Sequence, residues 1–261
     1  RYLAAAAFEA LEGQGRSLES SYQEGFRLGV VVSCYTGCVN YSQRFYGEVL
    51  ADPATASPII FPETVFNAPS SHLSALLGTS EVNYTLVGDE SQFLTALEIG
   101  ISWILDGQVD GVLVAAAEEN NWLSAEGLSM FSKAPVFGAG AAAILLEPCN
   151  SPEVKVDLIT DSLPYNNRES RQQTLQSMRS QLPKDNTAEI VFESINEGLL
   201  WEGCPGRKVN VREIFGEGFG ASVAWSCAAA AGYLKAGEYN SALISGVGMD
   251  QACAAMMISA N

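Results

Sequence analysis

Residues 107–114, with the sequence GQVDGVLV, and residues 237–244, with the sequence GEYNSALI, share one pattern and lie 130 positions apart. In each copy a glycine ends a long apolar helical segment and is followed by an apolar run that is typical of a buried strand. Each copy then leads through a loop into a second strand of small residues, predicted at 138–146 and at 252–259. The order helix, glycine, strand, turn, strand is thus used twice, which predicts two similar α/β halves, 1–150 and 151–261, in one compact unit.

The predicted strands are rich in Ala, Val, Leu and Gly and lack polar alternation. Such strands are buried on both faces, so helices must cover both sides of each sheet. We therefore expect a layered α/β/α/β/α architecture. In the first half the patterns predict strands at 28–33 and 83–87, and helices over 44–50, over 61–77 with a break at Pro69, and from about Glu90 to Leu105, with Asp89 as a candidate N-cap.

The charge of the chain excludes several classes of partner. The 261 residues include 14 Lys and Arg against 30 Asp and Glu, a formal net charge of −16. Nucleic acids and anionic membrane surfaces require a basic footprint, so neither is expected to bind. No apolar run reaches the ~18–20 residues of a membrane span. There is no initiator Met and no signal-peptide pattern at Arg1, so the sequence is expected to begin inside the natural chain.

Histidine and cysteine usage limits the chemistry. The single histidine, His72, excludes any site that needs two imidazoles, including a two-histidine zinc site. The six cysteines lack the paired spacing of a zinc ribbon or of a secreted disulfide framework. We expect core cysteines in a reducing, cytoplasmic compartment, with neither a metal nor a cofactor.

Several segments resemble the β-ketoacyl synthases of the thiolase superfamily. In the first half these are RFYGEVL (44–50), FPETVFNAPSSH (61–72), NYTLVGDESQF (83–93) and DGVLVAAAEE (110–119). In the second half, REIFGEGFGAS (212–222) is similar to the glycine-histidine-threonine-x-glycine-alanine motif, and Gly246-Val247-Gly248 is similar to the glycine-rich loop near the C-terminus. The resemblance implies a thiolase fold, two βαβαβ halves in an α/β/α/β/α sandwich, in agreement with the repeat.

The positions that carry catalysis in that family differ here. In the family, a cysteine at the start of a buried helix attacks the acyl thioester, and a helix N-terminus suits a thiolate because it lowers the thiol pKa. The resemblance places Glu90 at the cysteine position and Ser194 and Glu217 at the two histidine positions. Arg212 replaces the family's lysine, and Val247 replaces the gating phenylalanine of the glycine-rich loop. Asn67, His72 and Phe93 are expected beside the pocket or tunnel.

Three interpretations of Glu90 remain open. It caps a helix and complements the helix dipole, or its carboxylate fills the vacated nucleophile site and contacts a partner or acyl group. In the third interpretation Glu90 and Glu217 face each other and perform acid–base chemistry, because two carboxylates in one closed pocket do not both ionise at low cost.

The resemblance implies a non-condensing subunit of the chain-length-factor type. Such a subunit pairs with a cysteine-bearing ketosynthase in type II fatty acid, polyketide or polyene biosynthesis and shapes the acyl tunnel, while acyl carrier protein docks through the partner. One alternative is a malonyl-thioester decarboxylase that uses the altered pocket. Another is a scaffolding homodimer without acyl contact.

Overall fold

The computed structural model describes residues 1–13, 15, 25–88, 90–130, 137–183, 187–193, 200–248 and 252–261. Two groups of elements follow one another along the chain. The first group is α1 (Tyr2–Glu12), β1 (Leu28–Cys34), α2 (Val39–Ala51), a 3-10 turn (Phe61–Thr64), α3 (Ala68–Leu77), β2 (Asn83–Val87), α4 (Ser91–Leu105), β3 (Gly111–Glu118), α5 (Trp122–Ser129) and β4 (Gly140–Leu146). The second is β5 (Val154–Ile159), β6 (Leu163–Pro164), α6 (Arg168–Gln181), β7 (Ile190–Phe192), β8 (Arg207–Val209), α7 (Arg212–Phe215), α8 (Gly220–Lys235), β9 (Ser241–Val247) and β10 (Ala252–Ala260).

The first sheet has the strand order β2-β1-β3-β4. Its first three strands are parallel, and β4 runs antiparallel to β3. Every residue of β1 is buried, and so is nearly all of β3, because both strands lie inside the sheet with side chains packed on both faces. The edge strand β2 is far more exposed.

The second sheet repeats this topology. Its order is β5-β10-β9-β7-β8, with β6 paired to β10. Strand β7 lies parallel to β8 and β9, as β1 lies parallel to β2 and β3, and β10 is antiparallel to β9. The duplicated halves predicted from the sequence repeat are therefore confirmed as two sheets of matching connectivity.

Two long helices fill the space between the sheets. Helix α4 contacts strands of both sheets, as does α8, and the two helices contact each other. Helices α1 and α3 pack against the first sheet and α6 against the second. The expected α/β/α/β/α sandwich is thus confirmed, with its main core between the sheets and the central helices.

Glycine ends both central helices, as predicted. Gly107 follows α4 with φ of 68° and Gly237 follows α8 with φ of 70°, a left-handed conformation that glycine adopts without steric cost. Pro69 was expected to break a helix, but it lies in the first turn of α3, where its missing N–H costs nothing. In the described ranges no helix combines the length and apolar composition that membrane crossing needs.

Candidate functional site

Glu90 lies at the N-terminus of α4, deep in the molecule. The residue is only 1% exposed. The end of β9 passes close to it: a Cβ added to Gly246 would lie 3.2 Å from the carbonyl oxygen of Glu90. Because such a contact is tighter than almost all real Cβ contacts, the absence of a side chain at 246 permits this approach. The start of the first central helix is therefore packed directly against the second half.

Arg212 joins Glu90 to Glu217. Arg212 begins the short helix α7, and its Nη2 contacts Oε1 of Glu90. Its Nε lies 3.1 Å from Oε2 of Glu217. The side chain of Arg212 is 15% exposed, whereas those of Glu90 and Glu217 are 2% and 4% exposed. One guanidinium thus bridges two buried carboxylates, which we call the Glu-Arg-Glu cluster.

Glu217 also holds the start of the second central helix. Its Oε1 accepts a hydrogen bond of 2.8 Å from the backbone N–H of Phe219, the residue that precedes α8. Phe219 is the only described residue other than glycine with positive φ, at 46°, a conformation that costs an ordinary residue roughly 1–3 kcal/mol. The ring of Phe219 stacks on Tyr35, with centroids 4.5 Å apart, and lies 6.0 Å from the Phe137 ring. The turn into α8 therefore combines backbone strain with a carboxylate and an aromatic stack.

A further buried carboxyl, outside the Glu-Arg-Glu cluster, lies at the end of β3. Glu118 is 4% exposed. Its Oε2 accepts hydrogen bonds from the Thr36 backbone N–H at 3.1 Å and from Thr36 Oγ1 at 2.6 Å, and its Oε1 accepts from the Tyr35 N–H. Burial raises the pKa of Glu118 to about 7, although these hydrogen bonds act in the opposite direction.

The other predicted site residues are spread over several elements. Phe93 is fully buried in α4 and Val247 is fully buried at the end of β9. Asn67 is exposed at the start of α3.

His72 lies within α3, where its Nε2 is 2.8 Å from Oε2 of Glu63, and it lines a cavity of about 330 Å³. Neither Glu90 nor Glu217 lines that cavity, so the structure brings together Glu90, Arg212 and Glu217 but not His72. Ser194 and Asp89 lie outside the described residues.

The three interpretations of Glu90 differ in how well they fit this geometry. Glu90 occupies the N-cap position of α4, yet its side chain makes no capping hydrogen bond. The carboxylates of Glu90 and Glu217 do share one site, but through the guanidinium of Arg212. Each carboxylate is ion-paired with Arg212. The cluster therefore compensates buried charges at the starts of the two central helices.

The buried carboxylate of Glu193 also has a charged partner. Glu193 follows β7, immediately before position 194, and its Oε1 lies 3.3 Å from Nζ of Lys208. Within the described ranges no three His, Cys, Asp or Glu side chains form a metal-binding group. The bridging role of Arg212, the strained Phe219 and the Glu118 carboxyl were not predicted. For Arg212, the sequence offers one signal, an arginine five positions before Glu217. For Glu118, the signal is an acidic residue at the end of an apolar strand.

The sequence matches no protein-family model and no curated protein. Solved structures, however, are similar in fold. The chain superposes with a TM-score of 0.76 on the ishigamide ketosynthase/chain length factor, at 16% identity, covering 100% of this chain and 81% of that one. A second match is a chain from the structure of a type II polyketide synthase acyl-carrier protein in complex with its ketosynthase. The TM-score is 0.82 at 15% identity, and the match covers 99% of this chain and 84% of that one.

A β-ketoacyl synthase from Burkholderia phymatum gives the same TM-score of 0.82 at 11% identity, covering 99% of this chain and 82% of that one. At these identities the likeness concerns the fold. It agrees with the duplicated sheets and the two central helices described above, and the chain therefore has the thiolase fold of the ketosynthases.

Proposed function

We propose that this chain is a non-condensing, ketosynthase-like subunit of the chain-length-factor type. It pairs with a cysteine-bearing ketosynthase in type II fatty acid or polyketide biosynthesis and helps to shape the acyl tunnel. The proposal depends on what occupies the starts of the two central helices, on an exposed sheet edge, and on the proteins that share the fold.

The Glu-Arg-Glu cluster is the observation that carries the proposal. Acyl transfer between thioesters needs a nucleophile activated by a base or by its surroundings. At the starts of α4 and α8 this chain instead presents two carboxylates bridged by Arg212. A carboxylate that is 1% exposed and in contact with a guanidinium is poorly placed to attack a substrate or to donate a proton to one. The site is therefore suited to a structural role.

The edge of the first sheet supports pairing with another subunit. Among the described strands, β2 pairs with β1 alone, and Tyr84 and Val87 on it are 52% and 49% exposed. The first half carries further exposed apolar side chains, at Tyr46, Leu50, Ile59, Phe61 and Phe66. An open, apolar strand edge is an association site that monomeric proteins avoid. We call the exposed side of β2, with Tyr84 and Val87, the β2 surface, and we assign the ketosynthase partner to it.

The structural neighbours favour a ketosynthase as the partner. One is a ketosynthase/chain length factor, and another is a ketosynthase in complex with its acyl-carrier protein. The net charge of −16 makes this chain a poor surface for an acidic carrier protein. Carrier docking is therefore assigned to the partner.

Co-expression with a cysteine-bearing ketosynthase tests the pairing. Native mass spectrometry is expected to show a 1:1 complex, and incubation with acyl and malonyl carrier protein is expected to modify the ketosynthase only. The intact mass of this chain should stay unchanged. Replacing Glu90 by Gln in the complex should leave condensation within about twofold, since the chemistry lies in the partner.

Three results would overturn the proposal. A stable monomer that associates with no ketosynthase would contradict the pairing. An acyl group on this chain would contradict its non-condensing role, and release of acetyl product from malonyl carrier protein by the chain alone would favour the decarboxylase instead.

A further inference from the structure

The two sheets differ at one edge. In the second sheet, β10 lies between β9 and β5. In the first sheet β4 takes the place of β10, because it follows β3 and pairs antiparallel with it, as β10 follows β9 and pairs antiparallel with it. Among the described strands, β4 pairs with β3 alone. No described strand thus takes the position of β5 beside β4.

The strand register shows which part of β4 corresponds to the part of β10 that β5 covers. Val112 of β3 pairs with Leu146 of β4. Ala242 of β9 lies 130 positions after Val112 and pairs with Ile258 of β10, so Leu146 corresponds to Ile258. The stretch of β10 around Ile258 is the part that pairs with β5. The corresponding part of the first half is therefore the C-terminal half of β4.

The backbone of this half of β4 faces the open side. In β10, both the N–H and the C=O of Ala255 are bonded on the side of β5, to Oγ1 and to the N–H of Thr160, each at 2.9 Å. Ala143 corresponds to Ala255 in the register given above. In an antiparallel strand, the N–H and C=O of one residue point to the same side, and every second residue repeats this direction. Ala143 and Leu145 therefore present their backbone groups away from β3.

A cavity of about 700 Å³ runs along this edge. Its wall includes residues 143–146, which are all partly exposed and whose side chains point alternately to the two faces of the sheet. The side chains of odd number pack with α1, and those of even number pack in the cluster that contains α8. The space beside β4 is therefore bounded by a helix on each face of the sheet.

The shape and chemistry of this space favour a single extended segment of polypeptide. A strand satisfies the free N–H and C=O groups of a sheet edge, whereas an alkyl chain would cover these groups without forming hydrogen bonds, which is unfavourable. The sheet of a second copy would bring its own α1 and α8 against those of this chain, because its β4 lies in the same recess. A lone strand has no such flanking helices.

The order of elements in the two halves indicates where this strand comes from. In the second half β5 precedes α6, and α6 precedes the central strand β7. Helix α1 precedes β1 in the same way, and α1 contacts β4 as α6 contacts β10. The counterpart of β5 is therefore expected before α1.

The position of α1 agrees with this origin. A strand antiparallel to β4 runs toward Gly140, the first residue of β4. Tyr2, the first residue of α1, lines a cavity of about 300 Å³ together with Gly140 and Ala141. Such a strand would therefore end close to the helix that follows it.

We propose that the outer edge of β4 binds one further strand, antiparallel to β4, and that this strand is a segment of the same polypeptide located before α1. Its backbone pairs with Ala143 and Leu145, and it fills the cavity between α1 and α8. The first sheet then has five strands on its main path, as the second sheet has. This inference does not depend on the ketosynthase partner, which is assigned to β2 at the opposite edge of the first sheet.

Amide hydrogen exchange of two forms of the protein tests this assignment. One form is the chain of residues 1–261, and the other is the natural chain with the residues that precede residue 1. The amides of Ala143 and Leu145 should exchange at least about tenfold more slowly in the longer form, because they become hydrogen-bonded inside a sheet. Amides of β2, at the other edge, should exchange equally in both forms.

Two substitutions at Ala143 separate backbone pairing from side-chain packing. Ala143→Pro removes the outward N–H, a change that edge strands tolerate. In the longer form it should raise the exchange rate of Leu145 to that of the shorter form. Ala143→Gly is the matched control, because it loses the same methyl group but keeps the N–H, so the slow exchange of Leu145 should remain.

Equal exchange of Ala143 and Leu145 in the two forms would overturn the proposal, and so would a natural chain that itself begins at residue 1. Slow exchange that develops in the shorter form as its concentration rises would assign the edge to a second copy instead. If Ala143→Pro does not fold, the comparison of the two unsubstituted forms decides alone.

Discussion

The guanidinium of Arg212 contacts the carboxylate of Glu90, so a residue of the second half is ion-paired with the start of the central helix of the first. The same side chain reaches Glu217, next to the start of the other central helix. Burying charges is costly, and an ion pair recovers that cost only while all its members are present. The stability of the sandwich should therefore depend strongly on Arg212.

Replacing Arg212 by Met should lower the free energy of unfolding by about 3–5 kcal/mol, because it leaves two buried carboxylates without a compensating charge. Urea unfolding followed by circular dichroism measures the change. Arg44→Met is the matched control: Arg44 pairs with Glu48 at 3.3 Å on the surface and should change stability by less than about 0.5 kcal/mol. Equal effects of the two substitutions would contradict a special role for the cluster.

The positive φ at Phe219 predicts that glycine is a more stable replacement there than alanine. Both Phe219→Ala and Phe219→Gly lose the stacked ring and should be destabilised. Since φ is 46° there, glycine relieves strain that alanine keeps, and Phe219→Gly should be more stable than Phe219→Ala by about 1 kcal/mol. At Phe93, inside α4, the alanine variant should instead be more stable than the glycine variant, again by about 1 kcal/mol. Thermal or urea unfolding of the four variants checks this, and alanine being the better residue at both positions would refute it.

The thiols should react in an order set by burial. Cys149 is exposed, whereas Cys34 and Cys227 are buried, and burial raises the pKa of Cys34 to about 12. Because the thiolate is the reactive form, Ellman's reagent at pH 8 should label Cys149 quickly. Cys34, Cys227 and the third buried thiol, Cys253, should react only after denaturant is added. Cys149→Ser should remove the fast phase. Rapid labelling of Cys34 or Cys227 in the folded chain would contradict this packing.

If the β2 surface binds the ketosynthase, a charge on it should prevent pairing. Tyr84→Lys places an ammonium group on the open strand edge and should weaken association by more than about tenfold, since lysine on an edge opposes strand pairing. Leu105→Lys is the control, because Leu105 is 80% exposed at the end of α4, outside the β2 surface. Sedimentation of each variant with the ketosynthase measures the effect. An unchanged complex with Tyr84→Lys would place the interface elsewhere.

Local patterns were enough to predict much of the fold. The strand at Asn83–Val87 was predicted with the bounds it has, and the repeat at 107 and 237 predicted the duplicated sheets, because buried strands and glycine stops follow from short-range sequence. The helix predicted from about Glu90 to Leu105 is observed at Ser91–Leu105. The expectation at Pro69 was wrong, because this proline lies in the first turn of a helix that it was expected to interrupt.

The site was harder to predict because it depends on contacts between distant segments. The resemblance selected Glu90, Arg212 and Glu217. The short spacing of Arg212 and Glu217 hints at one contact, but nothing in the sequence indicates that the same guanidinium also reaches Glu90, more than 100 positions away. His72 was placed near the pocket through its neighbour Asn67, yet the side chain of His72 is 65% exposed and paired with Glu63. Which side chains meet is decided by how the halves pack, and periodicity carries little information about that.

The open edge of β2 also limits how the isolated chain behaves at high concentration. Two copies that meet edge to edge satisfy backbone groups that water otherwise satisfies. Such encounters are second order, so doubling the concentration of unpaired chain quadruples their rate. Dilution, or a binding partner present from the moment of synthesis, should therefore keep the protein dispersed more effectively than any change to its core.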